Sequence, residues 1–171
     1  GALPASLEFL QELSVGASLG KDSIRSGVAA TTAGMAFLGI FMILYYRLPG
    51  VLASAALLVY TAITLMVFKL VPITLTLSGI AAFVLSIGIA VAANILIFER
   101  MREELRRGRT LNAAIDIGFR RAWSSIRDSN VSTLITCTIL YYFGANFGAA
   151  VVQGFALTLA IGVLISMFSA I

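Results

Sequence analysis

Long charge-free runs, separated by short charged or turn-forming stretches, set the pattern of this chain. Residues 26–46, 51–68 and 77–98 contain no Asp, Glu, Lys or Arg, and neither does any position from 129 to 171. At a rise of about 1.5 Å per residue, a helix over 77–98 extends roughly 33 Å, enough to cross the hydrocarbon core of a bilayer. The run from 129 onward would reach about 64 Å as one helix, twice what a bilayer needs, so it must turn. Gly144, Asn146, Gly148, Gln153 and Gly154 supply the turn. The pattern predicts an all-α, polytopic transmembrane bundle with spans at about 26–46, 51–68, 77–98, 129–143 and 154–171. Pro4, Pro49 and Pro72 fall outside every span, as proline's cost inside a helix requires.

The remaining stretches read as extramembrane. Residues 1–23 mix Glu8, Glu12, Lys21 and Asp22 with apolar positions and are punctuated by Gly16 and Gly20. Tyr45, Tyr46 and Arg47 close the first span with the aromatic and basic signals of a membrane interface, and Pro49 and Gly50 make the turn. After Gly108, which can end a helix, Thr110 can cap another. Leu111, Ile115, Phe119, Ala122 and Ile126 then fall on one face, so 110–127 is expected to be a cytoplasmic amphipathic helix under the bundle.

Composition sharpens the class. With 60% hydrophobic and 12% charged residues in 171, and a mean hydropathy of +1.00, the chain departs from the roughly 45–50% apolar and 25% charged content of soluble domains. The net charge is +4, but eight of the twelve basic residues lie between Arg100 and Arg127. That basicity belongs to one loop region that touches anionic membrane lipid, and nucleic acid is a poor partner for it. If the residue 1 end lies outside, nine basic residues fall inside (Arg47 and the eight) against Lys21, Arg25 and Lys69 at the outer boundary. The excess of Lys and Arg on cytoplasmic sides therefore makes the 99–128 loop cytoplasmic.

Candidate chemistry is sparse. The chain has no His and a single cysteine, Cys137, within an apolar run, so no internal disulfide can form and the usual zinc ligand sets are missing. No carboxylate falls within a predicted span, which leaves intramembrane hydrolysis without a candidate; the chain reads as no enzyme, with no cofactor or metal. Small residues recur every four positions in two spans: Ser78, Ala82, Ser86 and Ala90, running on to Asn94, and Gly154, Thr158, Gly162 and Ser166. Such ridges let helix backbones approach closely, so these two helices are expected to be neighbours or to share one. Asn94, Asp128 and Asn130 are polar groups that could line a path across the membrane, although Asp128 could equally cap the start of the fourth span.

Several segments together resemble the SecD family of bacterial protein-export membrane subunits, related in fold to the resistance-nodulation-division transporters. They are Val15-Gly16-Ala17-Ser18-Leu19-Gly20 with Ser23-Ile24, Leu75-Thr76-Leu77-Ser78-Gly79-Ile80-Ala81, and Asn94-Ile95-Leu96-Ile97-Phe98-Glu99-Arg100 followed by Arg102-Glu103-Glu104. Further on, Ala114-Ile115-Asp116, Gly118-Phe119, Arg121-Ala122, Asp128-Ser129-Asn130-Val131 and Gly154-Phe155-Ala156 continue the match in order. The resemblance implies five spans of a six-helix SecD half, with residues 1–23 the tail of an extracytoplasmic domain and 24–171 the transmembrane domain. It implies a subunit of the bacterial inner membrane that works with a SecF half beside the SecYEG channel and uses the proton gradient to assist an exported polypeptide. The chain is then expected to be a piece of something longer. One departure stands out: where the family usually has Val-Asp-Ala-Asn, this chain has Val91-Ala92-Ala93-Asn94, so Ala92 replaces the carboxylate associated with proton transfer. At seven residues before Glu99, Ala92 is expected about 10 Å inside the cytoplasmic edge and buried. A non-conducting scaffold for the partner half is the alternative.

Overall fold

The computed structural model of the protein describes residues 17–71 and 76–169. Among these, five helices follow one another: α1 (Ala17–Tyr46), α2 (Leu48–Leu70), α3 (Leu77–Arg106), α4 (Leu111–Asn146) and α5 (Ala150–Ser169). Pro4, Pro72, most of the expected 1–23 tail and the last two residues of the expected fifth span lie outside the described residues.

The helices start and stop for local reasons. Arg47 breaks α1 from α2 with a positive φ of 55°, and Pro49 sits in the first turn of α2, where its missing N–H costs nothing. Gly50 is packed so tightly on the carbonyl of Met42 that a side chain there would collide with backbone. Thr76 caps α3, its hydroxyl accepting a hydrogen bond from the Gly79 amide at 3.1 Å. Gly108, at φ 81°, ends the α3 helix as a left-handed residue, and Gly148, at φ 67°, turns the chain between α4 and α5.

α3 is the centre of the bundle and packs against every other helix, most extensively against α4 and α5. α1 and α2 form a hairpin that closes on it through Met42, Leu57, Tyr60, Phe68, Phe83 and Ile87. α1, α2, α3 and α5 are long and apolar enough to cross a membrane. This is a helical, multi-pass membrane bundle.

Two expectations are corrected here. The separate amphipathic helix at 110–127 and the span at 129–143 are one uninterrupted helix of 36 residues. No Gly or Pro occurs between Gly118 and Gly144, so nothing in the backbone interrupts the helix where the charges end, and Asp128 sits in mid-helix and caps nothing. The packed face of that helix matches the expected one at Ala122 and Ile126 and differs from it elsewhere. Leu111 and Ile115 are exposed, while Ala114, Gly118, Ala122, Ile126 and Asn130 are buried at every fourth position. A Cβ at Gly118 would come within 2.8 Å of the Met101 amide nitrogen, so the α3 and α4 backbones touch and only small residues fit between them.

Candidate functional site

Three regions of α3 carry side chains with chemistry. The first is its seam with α5. Ala82, Ser86 and Ala90 are buried along α3, facing Thr158, Gly162 and Ser166 on α5, all buried as well. At the middle of the seam the Tyr60 hydroxyl donates to Ser86 Oγ at 2.8 Å and reaches the Gly162 carbonyl at 3.2 Å, while Ser86 Oγ lies 2.7 Å from the Phe83 carbonyl. One polar knot thus ties α2, α3 and α5 in an apolar interior, where each satisfied hydroxyl avoids the cost of an unpaired one. Toward the other end, Gly154 lies against Thr76, and the hydroxyls of Thr76 and Ser78 are 2.8 Å apart.

The second region is a cavity of about 170 Å³ between α3 and α4, lined by Ile89, Ala92, Ala93 and Leu96 from one helix and Ser125, Ile126, Ser129 and Asn130 from the other. Ala92 and Asn130 are brought together there. Ala92 is exposed rather than buried. It belongs to a stripe with Leu77, Ala81, Leu85 and Gly88, one helical turn apart, that no described element covers, whereas Ala90, Val91 and Ala93 turn into the bundle. Asn130 is 3% exposed and is the buried polar residue of that cavity's lining, where Ser125 and Ser129 are exposed. Asn94 is half-buried but does not line this cavity, and Asp128 is exposed and bonded to Arg127 at 3.1 Å. The structure therefore separates Asn94 and Asp128 from the Ala92–Asn130 pair.

The third region lies at the α3–α4 corner and centres on Glu104, which the sequence pattern does not single out. Its carboxylate is 2% exposed and accepts from Arg121 Nη1 at 2.6 Å and Arg107 Nη1 at 3.0 Å, with Arg109 Nε at 3.5 Å. Three guanidinium groups, two from the residues just after α3 and one from α4, converge on one carboxylate, the kind of network in which a buried charge is tolerated. Glu103 beside it pairs with Arg100 at 3.0 Å and Arg107 at 3.1 Å; the Arg100 hydrogen bond, foremost, holds its carboxyl below the usual range. Glu99 and Arg102 pair at 3.8 Å one turn apart. Nothing in the sequence pattern marks Glu104, because its partner Arg121 lies 17 residues away on another helix. Among the described residues no group of acidic, His or Cys side chains could hold a metal ion.

The chain can be set beside known proteins on both sequence and fold. It is 57% identical over 171 residues to the protein translocase subunit SecD of Thermobaculum terrenum and 53% identical to that of Synechocystis, covering all of this chain and 33% and 35% of theirs. It thus spans about a third of the length of the curated relatives it matches. Its fold matches the crystal structure of SecDF, a translocon-associated membrane protein from Thermus thermophilus, with a TM-score of 0.84 at 39% identity over 90% of this chain and 21% of that one. SecDF in a super-membrane-facing form matches with a TM-score of 0.80, also at 39% identity, over 88% of this chain and 20% of that one. Residues 2–171 match the family described as protein export membrane protein SecD/SecF, C-terminal, and the chain belongs to that family.

Proposed function

We propose that this chain is the membrane-embedded part of an auxiliary subunit of the Sec protein-export machinery. In this reading it sits in the bacterial inner membrane with the residue 1 end outside and the 99–128 region in the cytoplasm. It pairs with a SecF half, lies beside the SecYEG channel and helps move an exported polypeptide outward. The observation that carries the reading is the open stripe on α3 that includes Ala92 and borders buried Asn130, because an uncovered, small-residue face in a membrane bundle is a surface for another helix. A SecF half covering it would enclose the Ala92–Asn130 cavity between two halves, at the depth where proton transfer would occur.

Ala92 divides this reading into two. A methyl group cannot carry a proton, so use of the proton gradient would rest on Asn94, Asp128, Asn130 or partner groups. Of these only Asn130 adjoins Ala92, and an amide does not titrate. This favours the second reading, in which the bundle with Ala92 is a scaffold that conducts nothing. Translocation by the complete complex, measured with and without a proton gradient, separates them. The scaffold reading expects equal rates with Ala92 in place and gradient-dependent rates with Ala92→Asp. Gradient-dependent export with Ala92 present would refute it and leave the coupled reading, and no export defect on deleting the subunit would refute both.

A further inference from the structure

We infer that the corner where α1 meets α2, together with the charged end of α3, forms a binding site for the phosphate head group of an anionic phospholipid. A cavity of about 670 Å³ opens there, within the roughly 300–1,000 Å³ of small-molecule sites. Its lining combines Arg47 and Arg102 with Tyr45 and Tyr46 and the apolar residues Leu105 and Leu111. Guanidinium groups bind phosphate oxygens in a forked geometry, tyrosines favour the head-group level of a bilayer, and exposed leucines suit the start of an acyl chain. Tyr46 packs on Phe98 with ring centroids 6.0 Å apart, which fixes the α1 end against α3 and holds both sides of the cavity in place.

Charge selects this corner over the other basic ones. The cavity around Arg100 and Arg106 is also lined by Glu99 and Glu103. At the α3–α4 turn, Arg107 and Arg109 are both engaged by Glu104. No carboxylate lines the Arg47 cavity itself; Glu99 and Glu103 line the neighbouring cavity, which shares Arg102, and Glu99 pairs with Arg102 at 3.8 Å and reaches the Tyr46 hydroxyl, so Arg47 is the cation of this corner that no acid engages among the described residues. Arg47 makes no ion pair among the described residues. It also holds a positive φ of 55°, a backbone conformation that glycine adopts at less cost, so an arginine stands where backbone conformation alone favours glycine. The inference rests on the membrane reading of the bundle and is independent of any export activity.

The test is native mass spectrometry of the full chain in detergent with added phosphatidylglycerol or phosphatidylcholine, alone and with millimolar inorganic phosphate. Phosphatidylglycerol is expected to bind in preference to phosphatidylcholine. Each of Arg47→Gly and Arg102→Gln should weaken it by about fivefold, the effect of one basic residue at an anionic surface. Arg47→Gly suits the positive φ and so should keep the fold, Arg47→Lys should retain binding, and Arg120→Gln, remote and paired with Asp116, should have no effect. Equal binding of the two lipids, or wild-type phosphatidylglycerol binding by Arg47→Gly, would overturn the inference. Displacement of the lipid by inorganic phosphate would overturn it too, by assigning the site to a soluble phosphate.

Discussion

Gly162→Ala tests the central seam with a single methyl group. A Cβ at Gly162 would lie 2.5 Å from both Cβ and Oγ of Ser86 and 3.1 Å from the Tyr60 hydroxyl, where ordinary contact begins at 3.4 Å. Neither neighbour can swing away cheaply, because the Ser86 Cβ is fixed by the α3 backbone and the Tyr60 hydroxyl is tied to Ser86 and to the Gly162 carbonyl. The two helices must therefore separate by about 0.9 Å. Overpacking of this kind costs about 1–3 kcal/mol, and strain on the Tyr60 hydrogen bonds adds about 0.5–1.5 kcal/mol. Alanine's better helix propensity offsets about 1 kcal/mol, which leaves a net loss of about 0.5–3.5 kcal/mol. Gly88→Ala is the matched control, since Gly88 also lies inside a helix, α3, but a Cβ there meets nothing within 4 Å; it should be neutral or stabilising by up to about 1 kcal/mol. Thermal unfolding in detergent, supported by denaturant titration, reads both. If Gly162→Ala is as stable as the wild type, or Gly88→Ala loses as much, close approach at Ser86 is not what holds α3 to α5.

At the other end of α3, Glu104→Gln removes the charge on which three arginines converge and should cost about 1.5–3 kcal/mol, the range for hydrogen bonds to charged groups, because those arginines remain partly hydrated. Glu103→Gln, at a partly exposed carboxylate, should lower the unfolding temperature less, and the reverse order would remove Glu104 from its central role. The proposed orientation is checked by Glu103→Cys in intact cells, where a membrane-impermeant thiol reagent added outside should leave it unlabelled; labelling from outside would invert the topology.

Much of this arrangement was legible because membrane helices announce themselves by missing charge. The interval 77–98 has no charge to misplace, and Pro49, Gly108 and Gly148 mark turns through backbone geometry that those residues favour, so most helix positions followed from composition alone. The ridges of small residues on α3 and α5 were visible for the same reason, since small side chains repeated every four positions have few other uses within a bilayer. The end of the charge cluster near Asp128 suggests a helix boundary that the structure lacks, because charge does not interrupt a backbone. Bulky Leu111 and Ile115 point to a face of α4 that the structure leaves exposed, while Ala114 and Gly118 join the expected Ala122 and Ile126 in the packing surface, because the partner helix comes within backbone contact there. Glu104 and Tyr60 were out of reach because their importance depends on partners distant in sequence, Arg121 for one and Ser86 with Gly162 for the other.

The uninterrupted course of α4 makes it a lever. At 36 residues it is about 54 Å long, with Thr110 and the Glu104 network at one end and the tight approach of Gly144 to Gln153 at the other. With no glycine or proline between Gly118 and Gly144, there is no hinge along this stretch. A tilt of about 10° pivoting at the Gly148 turn would sweep the Thr110 end through roughly 10 Å and Asn130 through roughly 5 Å. Leverage of this sort fixes a mechanical ratio between the arginine corner and the Ala92 cavity. A force applied to the charged corner would reach the intramembrane cavity as a smaller displacement in the same direction.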